Sequence, residues 1–159
     1  MNPGVAWLLA SPARLIAFGF GSGLMRPAPG TWGTLFGWAT FIPLHAALGD
    51  IGMLCLTALA FVIGVWACGR AGRDLGVADH GGMVWDEVAA FWLVLVFVPA
   101  GAWSQLAAFV LFRVFDIVQP PPIRHFDLRL KNGFGVMFDD LLAAGYVLLL
   151  FAFWTRVVR

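Results

Sequence analysis

Residues 74–87 read Asp-Leu-Gly-Val-Ala-Asp-His-Gly-Gly-Met-Val-Trp-Asp-Glu and lead directly into an apolar segment. Four carboxylates and an imidazole therefore stand beside residues that prefer hydrocarbon. A second polar window runs from Arg113 to Asp140. The two windows hold eight of the nine acidic residues, and Asp50 is the ninth. Because charged groups are costly near a membrane, this concentration predicts a functional site.

The composition of the chain is typical of an integral membrane protein. Of its 159 residues, 61% are hydrophobic and 12% are charged, with a mean hydropathy of +0.87. An ordinary soluble domain is about 25% charged. We predict one domain over residues 1–159. The net charge is +1 and the basic residues form no stripe, which argues against nucleic acid as a partner. Nothing in the sequence specifies an oligomeric state.

The hydrophobic pattern predicts an all-α protein, a polytopic membrane bundle of about five to six helices with short spans. A short helix within residues 5–20 is expected to lie at the interface or against the bundle. The later apolar segments have 12 to 18 residues, whereas a straight crossing takes about 20. A compact helical protein buried in one leaflet is the alternative. These segments are residues 34–48, 51–68, 88–99, 103–118 and 141–154.

The connections between these segments predict the orientation of the chain. The short connections at residues 48–51 and 99–103 carry no basic residue, whereas the long ones at 19–33, 69–87 and 119–139 contain arginines. By the positive-inside rule, the long connections face the cytoplasm. Both polar windows would then reach the same face of the membrane.

Pairs of adjacent acids predict a metal site at this face. We expect Asp86 and Glu87 to open one helix, and Asp139 and Asp140 to open another. Capping explains one acid per helix but not two, because consecutive helical residues point about 100° apart. With Asp79, these carboxylates need a cation to stay ionised together, and oxygen ligands favour Mg²⁺, Mn²⁺ or Ca²⁺. Simple capping is the alternative.

Two arginines of the second window precede an aspartate by three residues, Arg113 before Asp116 and Arg124 before Asp127. Side chains at this spacing meet on one helical face, so local ion pairs are the simple interpretation. Arg113 lies inside an apolar segment, however, where an arginine without a function is costly. A guanidinium beside a metal cluster suits a phosphate, which it can bind with two hydrogen bonds.

Two other features could take part in phosphate chemistry. In the Pro-Gly-Thr-Trp-Gly of residues 29–33, Thr31 and Gly33 offer a hydroxyl and a backbone N–H just before a predicted helix. They form either an anion cradle or a tightly packed loop. His80 can move a proton near neutral pH.

A series of motifs in a fixed order runs from Gly19 to about Gly145. They are Gly21-Ser-Gly-Leu24, Pro29-Gly-Thr-Trp-Gly33, Asp74-Leu-Gly-Val-Ala-Asp-His-Gly81, Val84-Trp-Asp-Glu87, Phe112-Arg-Val-Phe-Asp116, Pro120-Pro-Pro-Ile-Arg124, Phe126-Asp127 and Gly133-Phe-Gly-Val-Met-Phe-Asp-Asp140. In this order and spacing the chain resembles the phosphatidylglycerophosphatase A family.

The resemblance implies a Mg²⁺-dependent lipid phosphatase that converts phosphatidylglycerophosphate to phosphatidylglycerol and phosphate. It implies a multi-pass enzyme of the bacterial inner membrane, with a phosphorylated glycerophospholipid and the bilayer as partners and an active site facing the cytoplasm. The five carboxylates would hold Mg²⁺, and Arg113 and Arg124 the phosphate. Asp116 would orient Arg113 or accept a proton, and His80 would protonate the leaving oxygen. A small divalent-cation carrier is the alternative, although the helix centres lack its polar groups.

Overall fold

The computed structural model describes residues 3–157, and the side chain of Asp127 lies outside the described part, together with its predicted pairing to Arg124. The described residues form helices and loops without a β-strand, so the all-α prediction is confirmed. The helices are α1 (Val5–Leu9), α2 (Pro12–Ala17), a 3₁₀ helix (Gly19–Leu24), α3 (Pro29–Leu75), α4 (Trp85–Phe97), α5 (Ala102–Val118), α6 (Ile123–Arg129) and α7 (Gly133–Val157).

Helix α3 is a hairpin of two helical halves, residues 29–48 and 50–75. Its backbone breaks at Gly49, whose φ of 66° suits glycine and strains other residues. A side chain at Gly33 would meet Val84, and the next residue, Trp85, donates its indole N–H to the carbonyl of Ala60 at 2.9 Å. A straight helix would hold Gly33 and Ala60 roughly 40 Å apart, so the halves fold back on each other. The predicted short turn at residues 48–51 is confirmed.

Helix α4 lies against both halves of this hairpin and forms the centre of the bundle. Ten of its 13 residues are buried, as expected for a helix that is apolar on all sides. The indole N–H of Trp92 donates to the carbonyl of Gly37 at 2.8 Å. A Cβ at Gly37 would lie 3.2 Å from the backbone of Val88, so the missing side chain lets the two helices approach closely. Helix α7 packs against α3, α4 and α5.

The amino-terminal helices support the start of α4. The backbone N–H of Val84 donates to the carbonyl of Ala17 in α2 at 2.9 Å. Arg14 in the same helix forms an ion pair of 2.9 Å with Asp74 at the end of α3. The segment at residues 5–20 therefore lies against the bundle, as two short helices rather than one.

The predicted starts of the acid-bearing helices were right for α4 and wrong for α7. Asp86 and Glu87 lie in the first turn of α4. Helix α7, however, begins at Gly133, where the side-chain oxygen of Asn132 accepts the N–H of Gly135 at 2.9 Å. Asn132 satisfies the helix end six residues earlier than expected. Asp139 and Asp140 therefore lie in the second turn, and capping does not explain them.

Two helices within residues 3–157, α3 and α7, are long and apolar enough to cross a membrane. They support membrane association. Helices α4 and α5 have 13 and 17 residues, fewer than the roughly 20 of a straight crossing. The multi-pass arrangement therefore stays a prediction.

Candidate metal and phosphate site

Three buried carboxylates meet at the end of the bundle that carries the long connections. Asp86 and Glu87 come from the first turn of α4 and Asp140 comes from α7. One oxygen of each lies within 4.8 Å of the others. Their exposed fractions are 8%, 7% and 3%. Acids from separate helices thus come together, as the sequence predicted.

The burial of these carboxylates is unfavourable unless a cation offsets their charge. Burial raises the pKa of Asp86 well above its usual range, and the nearby carboxylates of Glu87 and Asp140 raise it further. Burial also raises the pKa of Glu87, to about 7. Both acids lie before the apolar segment at residues 88–99, outside the stretch that is expected to cross the membrane.

Two carboxylate oxygens in this group are suited to a metal ion. Oε2 of Glu87 and Oδ2 of Asp140 are buried and have no hydrogen-bond partner among the described residues. Buried polar atoms in proteins nearly always have one. A hard divalent cation takes oxygen ligands of this kind, so the residues present fit such an ion.

Arg113 approaches the carboxylates from α5. Its Nη1 donates to Oδ2 of Asp116 at 2.7 Å and lies 3.4 Å from both Oε1 of Glu87 and Oγ1 of Thr34. The predicted contact between Arg113 and Asp116 is confirmed. The Nε–H of Arg113 is buried and, within the described part of the chain, has no acceptor. A guanidinium N–H in this position can donate to an anionic oxygen.

The first turns of α3 form a wall of the site. The hydroxyl of Thr34 donates to the carbonyl of Gly30 at 2.8 Å. A side chain at Gly30 would collide with Glu87 and lie 2.8 Å from Nη2 of Arg113. Gly33 instead packs against the residue before α4. Sequence reasoning missed Gly30 and Thr34. The available signal was their spacing of four residues, which puts both on one helical face.

Several predicted ligands lie outside the group of three carboxylates. Asp79 is exposed in the loop between α3 and α4. Asp139 is half-buried, and its Oδ1 accepts the backbone N–H of Asp140 at 3.1 Å. Nδ1 of His80 accepts the backbone N–H of Gly82 at 3.1 Å, which fixes the ring within the loop.

Of the predicted phosphate ligands, some lie beside the three carboxylates and others do not. Arg113 reaches the carboxylates, whereas Arg124 is exposed on α6. Thr31 is half-buried in the first turn of α3, which begins at Pro29 and therefore includes the expected loop. Gly33 is buried against Val84, as the packing interpretation predicts, and its part in binding phosphate stays a prediction.

The sequence profile described as Phosphatidylglycerophosphatase A matches residues 15–155. A Phosphatidylglycerophosphatase A of Haemophilus influenzae is 50% identical over 153 residues, 95% of this chain and 94% of its own. One of Escherichia coli is 40% identical over 141 residues, 85% of this chain and 78% of its own. A Bacteroides thetaiotaomicron protein with the provisional name of a phosphatidylinositol-3-phosphatase is 39% identical over 145 residues, 87% of this chain and 90% of its own. No solved structure matches. From the profile and the relatives together, we conclude that this chain belongs to the phosphatidylglycerophosphatase A family.

Proposed function

We propose that this protein hydrolyses the terminal phosphate ester of phosphatidylglycerophosphate, with Mg²⁺ held by Asp86, Glu87 and Asp140. The proposal rests on one observation: these three buried carboxylates lie together, and Arg113 contacts one of them. Membership of the family supports the reaction, and the same membership favours a phosphatase over the divalent-cation carrier. The products are phosphatidylglycerol and inorganic phosphate.

In binding a phosphate, the carboxylates hold the cation and the arginine contacts the phosphate directly. When bound, a divalent cation neutralises phosphate charge and lowers the pKa of a nearby water molecule. Asp86, Glu87 and Asp140 supply its oxygen ligands from two rigid helices. Since they are withdrawn from bulk water, their interaction with a cation is stronger than on an exposed surface.

Arg113 is held in a geometry that leaves a donor for the substrate. Asp116 fixes Nη1 at 2.7 Å, and Thr34 lies beside the same nitrogen. The Nε–H, which lacks an acceptor in the described residues, donates to a phosphate oxygen in this proposal. Asp116 thus acts as a positioning residue. His80 and Arg124, on the segments that border this end of the bundle, stay the candidates for the proton donor and a second phosphate ligand.

We also propose that the two halves of α3 and the helices α4, α5 and α7 cross the bacterial inner membrane with the site at the cytoplasmic face. Exposed apolar side chains away from the site support a lipid-facing surface, among them Leu59, Val62, Leu149 and Phe153. The headgroup of a lipid in the inner leaflet would then lie level with the carboxylates.

Release of phosphate from purified protein in detergent micelles tests the proposal. With phosphatidylglycerophosphate as substrate, we expect turnover that EDTA abolishes and that added Mg²⁺ restores. Turnover that survives complete removal of divalent cations would refute the metal part. Cation uptake by sealed vesicles without phosphate release would favour the carrier instead.

A further inference from the structure

An apolar cavity of about 360 Å³ lies between the second half of α3, α4 and α7. Ala89 and Ala90 in its wall follow Asp86 by one helical turn. Leu141, also in the wall, directly follows Asp140. The cavity therefore begins one helical turn beyond Asp86 on α4 and at the residue after Asp140 on α7.

The cavity has one polar residue in its wall, Thr57, which is 8% exposed. The hydroxyl oxygen of Thr57 is buried and has no hydrogen-bond partner among residues 3–157. Thr34 and Thr40 each donate to the carbonyl four residues earlier, at 2.8 Å, as threonines in apolar helices commonly do. Thr57 makes no such bond, so its hydroxyl is an unused donor in a residue of the cavity wall.

The mouth of the cavity faces the surface that the proposed topology gives to lipid. Ala58 and Val62 line it and are exposed. An apolar molecule in the bilayer can therefore enter from the side, without passing through water.

We propose that this cavity receives one acyl chain of the substrate, with the Thr57 hydroxyl donating to an ester carbonyl oxygen. The inference rests on the proposed function, because a phosphate at the carboxylates brings the rest of its own lipid to the adjoining walls. Methylene groups fill the apolar walls, and the ester supplies the acceptor that the buried hydroxyl lacks. The cavity thereby selects diacylated substrates over water-soluble phosphate esters.

A blocked cavity tests the proposal. Ala58→Trp places a large side chain at the mouth from an exposed position, where the fold can accommodate it. Its matched control is Ala107→Trp, at an exposed alanine in an apolar groove of about 350 Å³ between α5 and α7. The measured quantity is kcat/KM for long-chain phosphatidylglycerophosphate divided by kcat/KM for its deacylated, water-soluble counterpart.

We expect Ala58→Trp to lower this ratio about tenfold, the effect of losing part of an apolar binding pocket, and Ala107→Trp to leave it unchanged. A wild-type ratio in Ala58→Trp, or an equal fall in both variants, overturns the cavity proposal alone. If the wild-type protein hydrolyses neither compound, the proposed function is overturned and this inference with it.

The hydroxyl is tested separately. Thr57→Val keeps the shape of the side chain, and we expect it to raise KM for the long-chain substrate about fivefold, the effect of one neutral hydrogen bond. Thr57→Ser should restore the wild-type KM, because it keeps the hydroxyl. A KM in Thr57→Val equal to that of the wild type overturns the ester contact.

Discussion

Negative charge outweighs positive charge inside the site. Arg113 faces Glu87 and Asp116, and Asp86 and Asp140 lie beside them. The site thus holds four carboxylates and one guanidinium, and a buried charge without a counter-charge is strongly unfavourable. This excess of negative charge favours a bound cation. Substitution of the carboxylates that would hold the cation is therefore the most direct test.

Glu87→Gln and Asp140→Asn should each lower the rate of phosphate release at least about 100-fold, because each removes one charged ligand while keeping the shape of the side chain. The melting temperature of the metal-free protein should not fall, because a neutral amide replaces a buried carboxylate and Arg113 keeps its 2.7 Å ion pair with Asp116 in both variants. The control is Asp50→Asn, which changes an exposed acid paired with His45 at the tip of the α3 hairpin. Variants at residues 87 and 140 that keep wild-type rates would remove these carboxylates from the site.

The raised pKa of Glu87 predicts that cation binding at the proposed site depends on pH. Burial raises this pKa to about 7, so the carboxyl is protonated below neutral pH and a cation must displace its proton. Affinity should therefore fall by about tenfold for each pH unit below 7 for every proton that the cation displaces. Titration calorimetry with Mn²⁺ between pH 5.5 and 8 measures both affinity and released protons. An affinity independent of pH below 7 would contradict the assignment.

Close helix packing holds the carboxylates in place. A Cβ at Gly33 would lie 2.5 Å from Cβ of Val84, just before the turn of α4 that carries Asp86 and Glu87. Both contacting atoms belong to rigid parts of the side chains, so the helices must separate if a side chain is added. Separation would move the acids of α4 relative to Asp140 of α7.

Gly33→Ala should therefore destabilise the protein by about 1–3 kcal/mol, the usual cost of overpacking, and lower activity as well. Gly145→Ala is the control, because a Cβ at this position in α7 would meet nothing within 4 Å. It should leave stability unchanged or raise it by up to about 1 kcal/mol through helix propensity. Thermal unfolding in detergent compares the two, and equal melting temperatures would show that the contact at Gly33 is not tight.

The positions of the helices along the chain were easier to predict from the sequence than the directions in which their side chains face. The apolar segments and the acids at the start of α4 followed from hydrophobicity and charge alone. The start of α7 did not, because Gly133 and Gly135 interrupt the apolar residues after the capping asparagine, and glycine disfavours a helix. That start determines that Asp140 faces the carboxylates of α4 while Asp139 does not join them. The spacing of Gly30 and Thr34 places them on one helical face but does not say what that face meets, because the contact of Thr34 with Arg113 joins residues 79 positions apart.

The site and the long connections lie at the same end of the bundle. The hairpin tip at Gly49 and the short connection between α4 and α5 lie at the other end, because α4 runs away from Glu87 and α5 returns to Arg113. An enzyme with this arrangement needs its long connections on the side where the substrate headgroup lies. The arginines of these connections favour the cytoplasm.

Cysteine labelling tests this orientation in intact cells. The exposed native thiol is first removed as Cys55→Ser, whereas Cys68 is buried and can stay. In this background, Ala100→Cys in the short connection should react with a membrane-impermeant maleimide from outside. Leu128→Cys, exposed on α6, should react only after the membrane is permeabilised. Both variants should keep phosphatase activity, which shows that the labelled protein is folded. Labelling of Leu128→Cys in intact cells would place the carboxylates at the outer face, where a cytoplasmic phospholipid headgroup cannot reach them.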